Sequence, residues 1–282
     1  MNYLLDPVIK YEFFRTACIA AIFIGALCGL LGVYVVLRGM SYIGHGLSHS
    51  IFGGAAVAFA MRWNFYVAAG LWGFLSAVLI NQTVRRLKIS ADAAIGVITT
   101  ASFALGVVII SAQHRFTRDI EASLFGSILG VTGDQIWAVL IVTLVICTEV
   151  FIIYRQLLFT TFDEETARAY GVRTEWINTF FSLALAAAIT VSMQMIGVTL
   201  IAAAIVTPPI TARLITDRLD RMIILSMAIG SLTGLVGMYL SFYIDTASGA
   251  TIVLTQAACF LIAVAINGLR KRNRLAAIHY HV

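Results

Sequence analysis

Two histidines, His45 and His49, lie four residues apart where an apolar segment begins, in the stretch RGMSYIGHGLSHS. On an α-helix this spacing puts both imidazoles on one face, with their Cβ atoms about 5–6 Å apart. The same spacing lets two imidazoles bind one metal in the helix of zinc proteases. Neutral imidazole suits zinc, iron, copper and nickel well, and manganese less well. The pair therefore predicts a divalent-metal site, with hydrogen bonding to nearby serines as the alternative.

The other parts of several well-known metal and nucleotide sites are missing from this sequence. Structural zinc typically takes four protein ligands, so two histidines fit a transient site on a transport pathway better, with two more from a second copy. A metalloprotease would need the motif HExxH, but Gly46 stands where the glutamate should be. No Gly-rich phosphate loop is present, so we expect no enzyme activity, and any ATP must be handled by a partner.

The sequence around the histidines is that of a membrane protein. Of its 282 residues, 60% are hydrophobic and 12% are charged, against roughly 25% charged residues in soluble domains. The apolar blocks do not alternate with polar residues, so they are expected to be α-helices and not barrel strands. We predict an all-α, polytopic transmembrane bundle of eight to nine spans, forming one transmembrane domain over residues 1–282. The predicted spans are 16–37, 43–61, 64–84, 91–112, 133–154, 174–193, 195–216, 219–243 and 249–268.

Arginine and lysine collect at the ends of the predicted spans. Membrane topology therefore explains the net charge of +5, and nucleic acid is not expected as a partner. Short basic loops stay in the cytoplasm, which places the chain in the cytoplasmic (inner) membrane with its C-terminus inside and, with nine spans, its N-terminus outside. If 43–61 does not cross, eight spans remain and the N-terminus moves inside. The basic clusters are Arg85, Arg86 and Lys88; Arg213, Arg218 and Arg221; and Arg270, Lys271, Arg272 and Arg274.

Several remaining features can be interpreted from their positions along the chain. Residues 119–131 are too short to span and are predicted to form a re-entrant or interfacial piece. Glu149 lies inside a predicted span and is a candidate pathway or structural residue, while His114 could meet a partner outside the cell. His279 and His281 in the tail are expected to be solvated. The four cysteines lie in apolar blocks without CxxC spacing, so we interpret them as buried small hydrophobic residues.

The longest internal polar stretch, LLFTTFDEETARAYGVRTEW, covers residues 157–176. Thr161 can cap the helix that follows, three acidic residues suit its N-terminus, and Gly171 suits its end. We predict a short amphipathic helix over 162–171 that lies along the membrane face. On one side of this helix we place Phe162, Ala167 and Tyr170. It is either a docking element for a cytoplasmic partner or an ordinary surface helix.

The stretch GVTLIAAAIVTPPITARLIT, residues 197–216, holds the adjacent prolines Pro208 and Pro209. Each proline removes a backbone donor and its ring clashes with the preceding turn, so the helix should kink or open just before them. Thr207 and Thr211 are expected to satisfy the freed carbonyl groups. Thr207, Pro208 and Pro209 are therefore candidates for a hinge or a pathway wall, with a static kink as the alternative.

Three stretches taken together resemble the membrane subunit of metal-ion ABC importers, the manganese/zinc/iron permease family. They are LGVYVVLRGMSYIGHGLSHSIFGGAA, FDEETARAYGV with the apolar block after it, and QMIGVTLIAAAIVTPPITARLIT, and the resemblance covers nearly the whole chain. It implies a fold similar to cobalamin-type importers, a homodimer with the path at its interface, two cytoplasmic ATPase subunits and an extracytoplasmic solute-binding protein. The implied function is ATP-driven import of manganese, zinc or iron by alternating access, with the metal as cargo and no permanently bound cofactor.

The resemblance also implies roles for particular residues. The family uses an aspartate and a histidine along the metal path, in the pattern GD-x-x-SH; here His49 keeps the histidine and His45 replaces the aspartate. Imidazole in place of a carboxylate disfavours manganese relative to zinc or iron, but selectivity of the binding protein can dominate. Residues 162–171 match the coupling helix of the family. Its ATPase-binding residues would be Phe162, Asp163, Glu164, Glu165, Ala167, Arg168, Tyr170 and Gly171.

A secondary metal transporter or channel without an ATPase partner is the alternative function. Such a protein would be driven by an ion gradient and would carry acidic or histidine relays across several helices. This chain offers few such residues within its predicted spans.

Overall fold

The computed structural model describes residues 6–87, 89–112, 124–126 and 133–279, with side chains except at Asp6, Ser41, Asp134 and 270–279. The secondary-structure elements in these ranges are α-helices, which confirms the prediction of an all-α bundle. The helices are α1 (Asp6–Lys10), α2 (Glu12–Leu37), α3 (Ser41–Met61), α4 (Phe65–Leu87), α5 (Ala91–Ala112), α6 (Gly133–Ile152), α7 (Tyr154–Phe162), α8 (Glu164–Ala169), α9 (Thr174–Ile196), α10 (Ile201–Ile215), α11 (Leu219–Ile244) and α12 (Ser248–His279).

Seven helices in the described part of the chain are long and apolar enough to cross a membrane, namely α2, α4, α5, α6, α9, α11 and α12. The predicted count of eight to nine is therefore too high by this measure. Helix α3 is long enough, but two histidines and three serines make it too polar. Helix α10 has 15 residues, which rise about 22 Å against the roughly 30 Å hydrocarbon core. The helices at 43–61 and 195–216 are the two predicted spans that do not meet this measure of length and hydropathy.

Helix α2 is the centre of the bundle and is buried along most of its length. A Cβ added at Gly25 would lie 2.2 Å from the carbonyl oxygen of Gly230 on α11. One turn further on, the Ser226 hydroxyl of α11 donates to the Gly29 carbonyl at 2.8 Å. Lipid provides no hydrophobic drive between helices, so small residues that allow such close approach stabilise the pair.

Helix α3 is enclosed by other helices, with α4 and α5 as its main neighbours. A Cβ at Gly53 would lie 2.3 Å from the Ser102 carbonyl oxygen of α5, and one at Gly54 would lie 2.4 Å from Cβ of Trp72 on α4. Protein on several sides of α3 shields its polar residues from lipid, which is the setting in which membrane proteins tolerate them.

The two ends of the bundle are distinguished by the side chains that join the helices there. At one end, which we call the basic end, the last residues of α2 and α4 meet α7 and the first residues of α9, and α7 meets the start of α11. These contacts are Arg38 with Thr161 and Asn178, Arg85 with Glu175, and Tyr154 with Asp220. At the opposite end, Tyr66 of α4 donates to Gln194 of α9 at 2.8 Å. Ser248, which begins α12, also lies there, because it donates to the Met195 carbonyl.

Candidate functional site

The two predicted metal ligands lie side by side on α3. Their Nε2 atoms are 3.1 Å apart, and the ring centroids are 4.4 Å apart with an interplanar angle of 83°. Two nitrogens bound to one tetrahedral zinc at 2.0–2.1 Å would lie about 3.3 Å apart. His45 and His49 therefore already have nearly the separation that a shared cation requires.

The walls around the pair are aromatic and tightly packed. Phe103 of α5 meets the His49 ring edge to face at 4.7 Å between centroids, and Tyr42 lies 5.6 Å from the His45 ring. A Cβ at Gly46, between the two histidines, would lie 2.2 Å from the Ile95 side chain. Helix α5 thus packs directly against the part of α3 that carries the two rings.

The serines of α3 do not hold the imidazole rings, where their side chains are described. Ser48 donates to the backbone carbonyl of His45 at 2.7 Å, and Ser50 donates to Ser76 on α4 at 2.5 Å. Nδ1 of His49 is buried and has no hydrogen-bond partner among the described residues. Each ring therefore has its Nε2 directed to the other ring, and the alternative of serine-bonded histidines fails for these two serines.

The described part of the chain brings two candidate metal ligands together at this site, with no third His, Cys, Asp or Glu beside them. No group of three or more His, Cys, Asp or Glu side chains that could hold a metal occurs among the described residues. A cation at the pair would therefore need water or groups from another molecule to complete its coordination.

The predicted coupling helix is shorter than expected and begins with a different cap. Asp163, which separates α7 from α8, accepts a hydrogen bond from the Thr166 amide at 2.9 Å. Hydrogen bonds from Thr166 hold the pKa of Asp163 below its usual range, so the capping carboxylate is charged at neutral pH. Thr161 is not the cap, because its hydroxyl donates to the Leu157 carbonyl within α7. Gly171 ends the segment with φ +83°, as its position predicted.

The predicted face of this segment is wrong. Phe162 and Tyr170 are 66% and 79% exposed, but Ala167 is fully buried against the bundle. The break at Asp163 changes the chain direction between α7 and α8, so helical periodicity does not carry over from Phe162 to Ala167. The other seven predicted docking residues are exposed and could meet a partner, whereas Ala167 is excluded from direct contact.

Helix α10 is not opened by its prolines. It runs unbroken from Ile201 to Ile215 with Pro208 and Pro209 inside, and the interruption lies earlier, at Gly197 with φ +90°. Thr211 donates to the carbonyl of Thr207, which is not one of the two carbonyls that the prolines free. A hinge at Thr207, Pro208 and Pro209 therefore stays a prediction, without the predicted opening or the predicted threonine bonds.

One carbonyl that the prolines leave free, that of Ile205, faces α2. A Cβ at Gly32 would lie 2.0 Å from this oxygen. The glycine thus lets α2 cover the oxygen by close backbone approach, a contact in which a Cα–H group can donate weakly. The freed Ile205 carbonyl is thus covered by the backbone of α2, and not by the threonine hydroxyl that the sequence predicted.

Of the other predicted features, Glu149 and the four cysteines lie among the described residues, and several others do not. Glu149 of α6 is half-buried, its Oε1 has no hydrogen-bond partner among the described residues, and it lines a shallow apolar groove with Leu144 and Phe180. The four cysteines are free, two buried and two half-buried. The interfacial piece at 119–131 falls almost wholly outside the described residues. The same holds for Lys88, His114 and His281, and for the side chains of Arg270, Lys271, Arg272, Arg274 and His279.

Sequence reasoning missed Arg38, which lies at a cavity of about 710 Å³ at the basic end. Its guanidinium is mostly buried and bonds to α7 and α9. The cavity walls include Arg38, Asn81, Arg85, Glu164, Asn178 and Ser182. An arginine directly after an apolar span looks like an ordinary topology signal, so only its position just ahead of the histidine pair could have marked it.

Comparison with known proteins bears on the whole chain. A model of the family described as "ABC 3 transport family" matches residues 10–267. The manganese transport system membrane protein MntC of Listeria monocytogenes is 33% identical over 259 residues, covering 92% of each chain. The chelated iron transport system membrane protein YfeC of Yersinia pestis is 34% identical over 263 residues, covering 93% of this chain and 89% of its own. The solved structure of PsaBC from Streptococcus pneumoniae in complex with Fab superposes with a TM-score of 0.83 at 33% identity, covering 92% and 93% of the two chains. The predicted resemblance is thus confirmed, and the chain is a multi-pass membrane protein that belongs to the ABC 3 transport family.

Proposed function

We propose that this chain is the permease subunit of an ATP-driven importer that moves a divalent transition-metal ion into the cytoplasm by alternating access. The observation that carries the proposal is the pair of imidazole Nε2 atoms 3.1 Å apart on an enclosed helix. The names of the relatives, which specify manganese transport and chelated iron transport, support a metal cargo. The cargo is manganese, zinc or iron, and no cofactor is bound permanently.

The proposed assembly completes what a single chain lacks. His45 and His49 need further ligands, which a homodimer with the pathway at its interface would supply from the second pair. Exposed residues of 162–171 dock on cytoplasmic ATPase subunits, which hydrolyse ATP, so this chain is not itself an enzyme. An extracytoplasmic solute-binding protein delivers the metal at the opposite end. ATP binding shifts the bundle because the ATPase binds one of its two states more tightly.

The proposed orientation follows from the basic end. Loops rich in arginine stay in the cytoplasm, and the basic end joins the ends of helices that carry Arg85 and Arg218. Since α12 starts at the opposite end, its C-terminus returns to the cytoplasm, and residues 1–282 form one permease domain of the cytoplasmic (inner) membrane. The N-terminus lies outside, because Phe14 near the start of α2 packs against the end of α11.

The proposal is tested by metal uptake into liposomes that contain the assembled complex. We expect His45→Ala and His49→Ala to lower uptake to the level of empty liposomes while the ATPase still copurifies. Ser48→Ala is the matched control, because Ser48 lies between the histidines but donates to a backbone carbonyl. Normal uptake in both histidine variants would remove the pair from the mechanism.

The same liposomes distinguish the alternative function. A secondary transporter or channel would take up metal under a proton gradient without any ATPase subunit, whereas the proposed importer would take up none. Comparing ATPase stimulation by manganese, zinc and iron then identifies the cargo. With imidazole at position 45, we expect zinc or iron to stimulate more than manganese.

A further inference from the structure

Arg38, the residue after α2, joins three helices through one side chain. Its Nε donates to the Thr161 hydroxyl near the end of α7 at 3.0 Å, and its Nη1 donates to Oδ1 of Asn178 on α9 at 2.8 Å. The guanidinium carbon also lies 4.7 Å from the centre of the Phe181 ring. A guanidinium holds several partners in fixed directions, so movement of one of these helices displaces the others.

The contacts of Arg38 continue into α8. The Asn178 amide that Arg38 binds donates in turn to Oε1 of Glu164, the first residue of α8, at 3.3 Å. The same oxygen accepts a bond from Arg168 at 3.0 Å. Thr161, the other partner of Arg38, lies two residues before the cap of α8. Glu164 and Arg168 thus contact α9 through Asn178 and Thr174 although both side chains remain exposed, and α8 reaches Arg38 by two routes.

On its other side, Arg38 is connected directly to the helix that carries the histidines. Only Gly39 and Met40 separate it from α3, and Gly39 turns the chain with φ +65°. The amides of Gly39 and Met40 donate back to the carbonyls of Val36 and Val35 at 3.1 and 3.0 Å. The turn is short and hydrogen-bonded, so it transmits a displacement of Arg38 to the first turn of α3.

The guanidinium is not fully satisfied in this conformation. Its Nη2 is buried and has no hydrogen-bond acceptor among the described residues. Burial lowers the pKa of Arg38 to about 10, so the side chain is charged at neutral pH. A buried donor without an acceptor is unfavourable, and a shift of α7 or α9 that brings an acceptor to Nη2 would therefore be favoured.

We propose that Arg38 is a positioning residue that transmits the movement of α8 to the histidine pair on α3. This inference rests on the transport function proposed above and names the residue through which docking and transport are coupled. A residue that merely stabilises the basic end would not change the number of metal ions moved for each ATP hydrolysed.

The first experiment measures this ratio in liposomes that contain the complete complex. We expect Arg38→Gln to lower metal ions moved per ATP by roughly tenfold, with ATPase assembly and ATP hydrolysis retained. Arg38→Lys should give a ratio between those of the wild type and Arg38→Gln, since a single ammonium group cannot bond to Thr161 and Asn178 in the fixed directions of a planar guanidinium. Thr161→Val added to Arg38→Gln should cause no further loss, because both act through one contact.

Arg85→Gln is the matched control for charge at the cavity. Arg85 lines the same cavity and pairs with Glu175 on α9, but the described contacts give it no bond to α2 or α7. We expect this variant to keep the wild-type ratio. The proposal would be overturned if Arg38→Gln lowered metal uptake and ATP hydrolysis by the same factor, which leaves the ratio unchanged. It would also be overturned if Arg85→Gln lowered the ratio as much as Arg38→Gln does.

A second experiment needs no transport and separates this inference from the proposed function. Hydrogen–deuterium exchange of the full chain in detergent should rise in both 160–170 and 40–50 for Arg38→Gln, and in neither for Arg85→Gln. A rise confined to 160–170 would show that Arg38 does not reach α3 and would overturn the inference. If the wild-type complex moves no metal, the transport function fails while exchange still decides whether α8 and α3 are connected.

Discussion

Helix α8 and the histidine pair differ in how much of each is complete within one chain. Helix α8 has its own cap in Asp163, its own buried contact in Ala167 and its own end at Gly171. The pair has two aligned nitrogens and no third ligand among the described residues. The proposed docking element is thus formed by a single copy, whereas the proposed metal site requires a second molecule. Under the proposed function, a monomer could therefore bind an ATPase but could not complete the coordination of the cargo.

The largest expected effect tests whether the metal site is shared between two copies of the chain. The proposed N- and C-termini lie on opposite sides of the membrane, so two copies are fused in tandem through a linker that contains one added transmembrane helix. In this fusion, His49→Ala in one copy alone should lower metal uptake close to background. If each chain carried an independent site, uptake would instead stay at about half. Uptake by the tandem complex, with wild-type fusion as reference, measures the difference.

ATPase binding to the same fusion provides the control. Helix α8 is complete in each copy, so both copies should still bind ATPase with unchanged affinity. Loss of ATPase binding together with uptake would show that the variant disturbs assembly and not the shared site.

A second prediction tests how closely α5 holds the pair. In Gly46→Ala, the added methyl group would lie 2.2 Å from the Ile95 side chain, and we expect a loss of about 1–3 kcal/mol in stability. The melting temperature and uptake should both fall, because α3 must move away from α5.

Gly96→Ala on α5 is the matched change, because a Cβ there meets nothing within 4 Å. We expect it to leave uptake intact and to stabilise the helix by up to about 1 kcal/mol. Equal melting temperatures for the two variants would contradict the tight packing of α3 on α5.

The smallest expected effect concerns α8. Asp163→Ala removes the bond to the Thr166 amide, and we expect ATPase affinity to weaken roughly fivefold as the short helix loses its cap. Titration of the ATPase against the reconstituted permease gives the affinity.

Glu165→Ala removes a nearby exposed acid that makes no cap, and it should change affinity less than Asp163→Ala. If Glu165→Ala had the larger effect, charge and not helix capping would dominate docking. Metal binding at the pair should be the same in both variants.

The features that hydropathy and local rules determine were predictable from the sequence. Lipid forces helices, and the i, i+4 spacing placed His45 and His49 together, as the 3.1 Å contact shows. Fewer helices meet the length and hydropathy measure than predicted, because α3 carries polar residues that its neighbours shield and because Gly197 shortens α10. The predicted face of 162–171 failed because Asp163 breaks the helix.

The contacts of Arg38 could not be predicted from the sequence for a different reason. Its partners Thr161 and Asn178 are 123 and 140 residues away along the chain. No local pattern indicates which distant polar groups will meet an arginine, since that depends on how α2, α7 and α9 pack. The same limit applies to the Gly32 contact with the Ile205 carbonyl, which arises from the crossing of α2 and α10.

The polarity of α3 has a consequence for how the protein is made. A helix with two histidines and three serines is costly to insert alone, because each polar group raises the free energy of leaving the translocation channel for lipid. The contacts with α4 and α5 that offset this cost are synthesised later in the chain. The segment that holds the proposed cargo site should therefore wait beside the translocon until α4 and α5 emerge, and truncation after Met61 should leave it outside the bilayer.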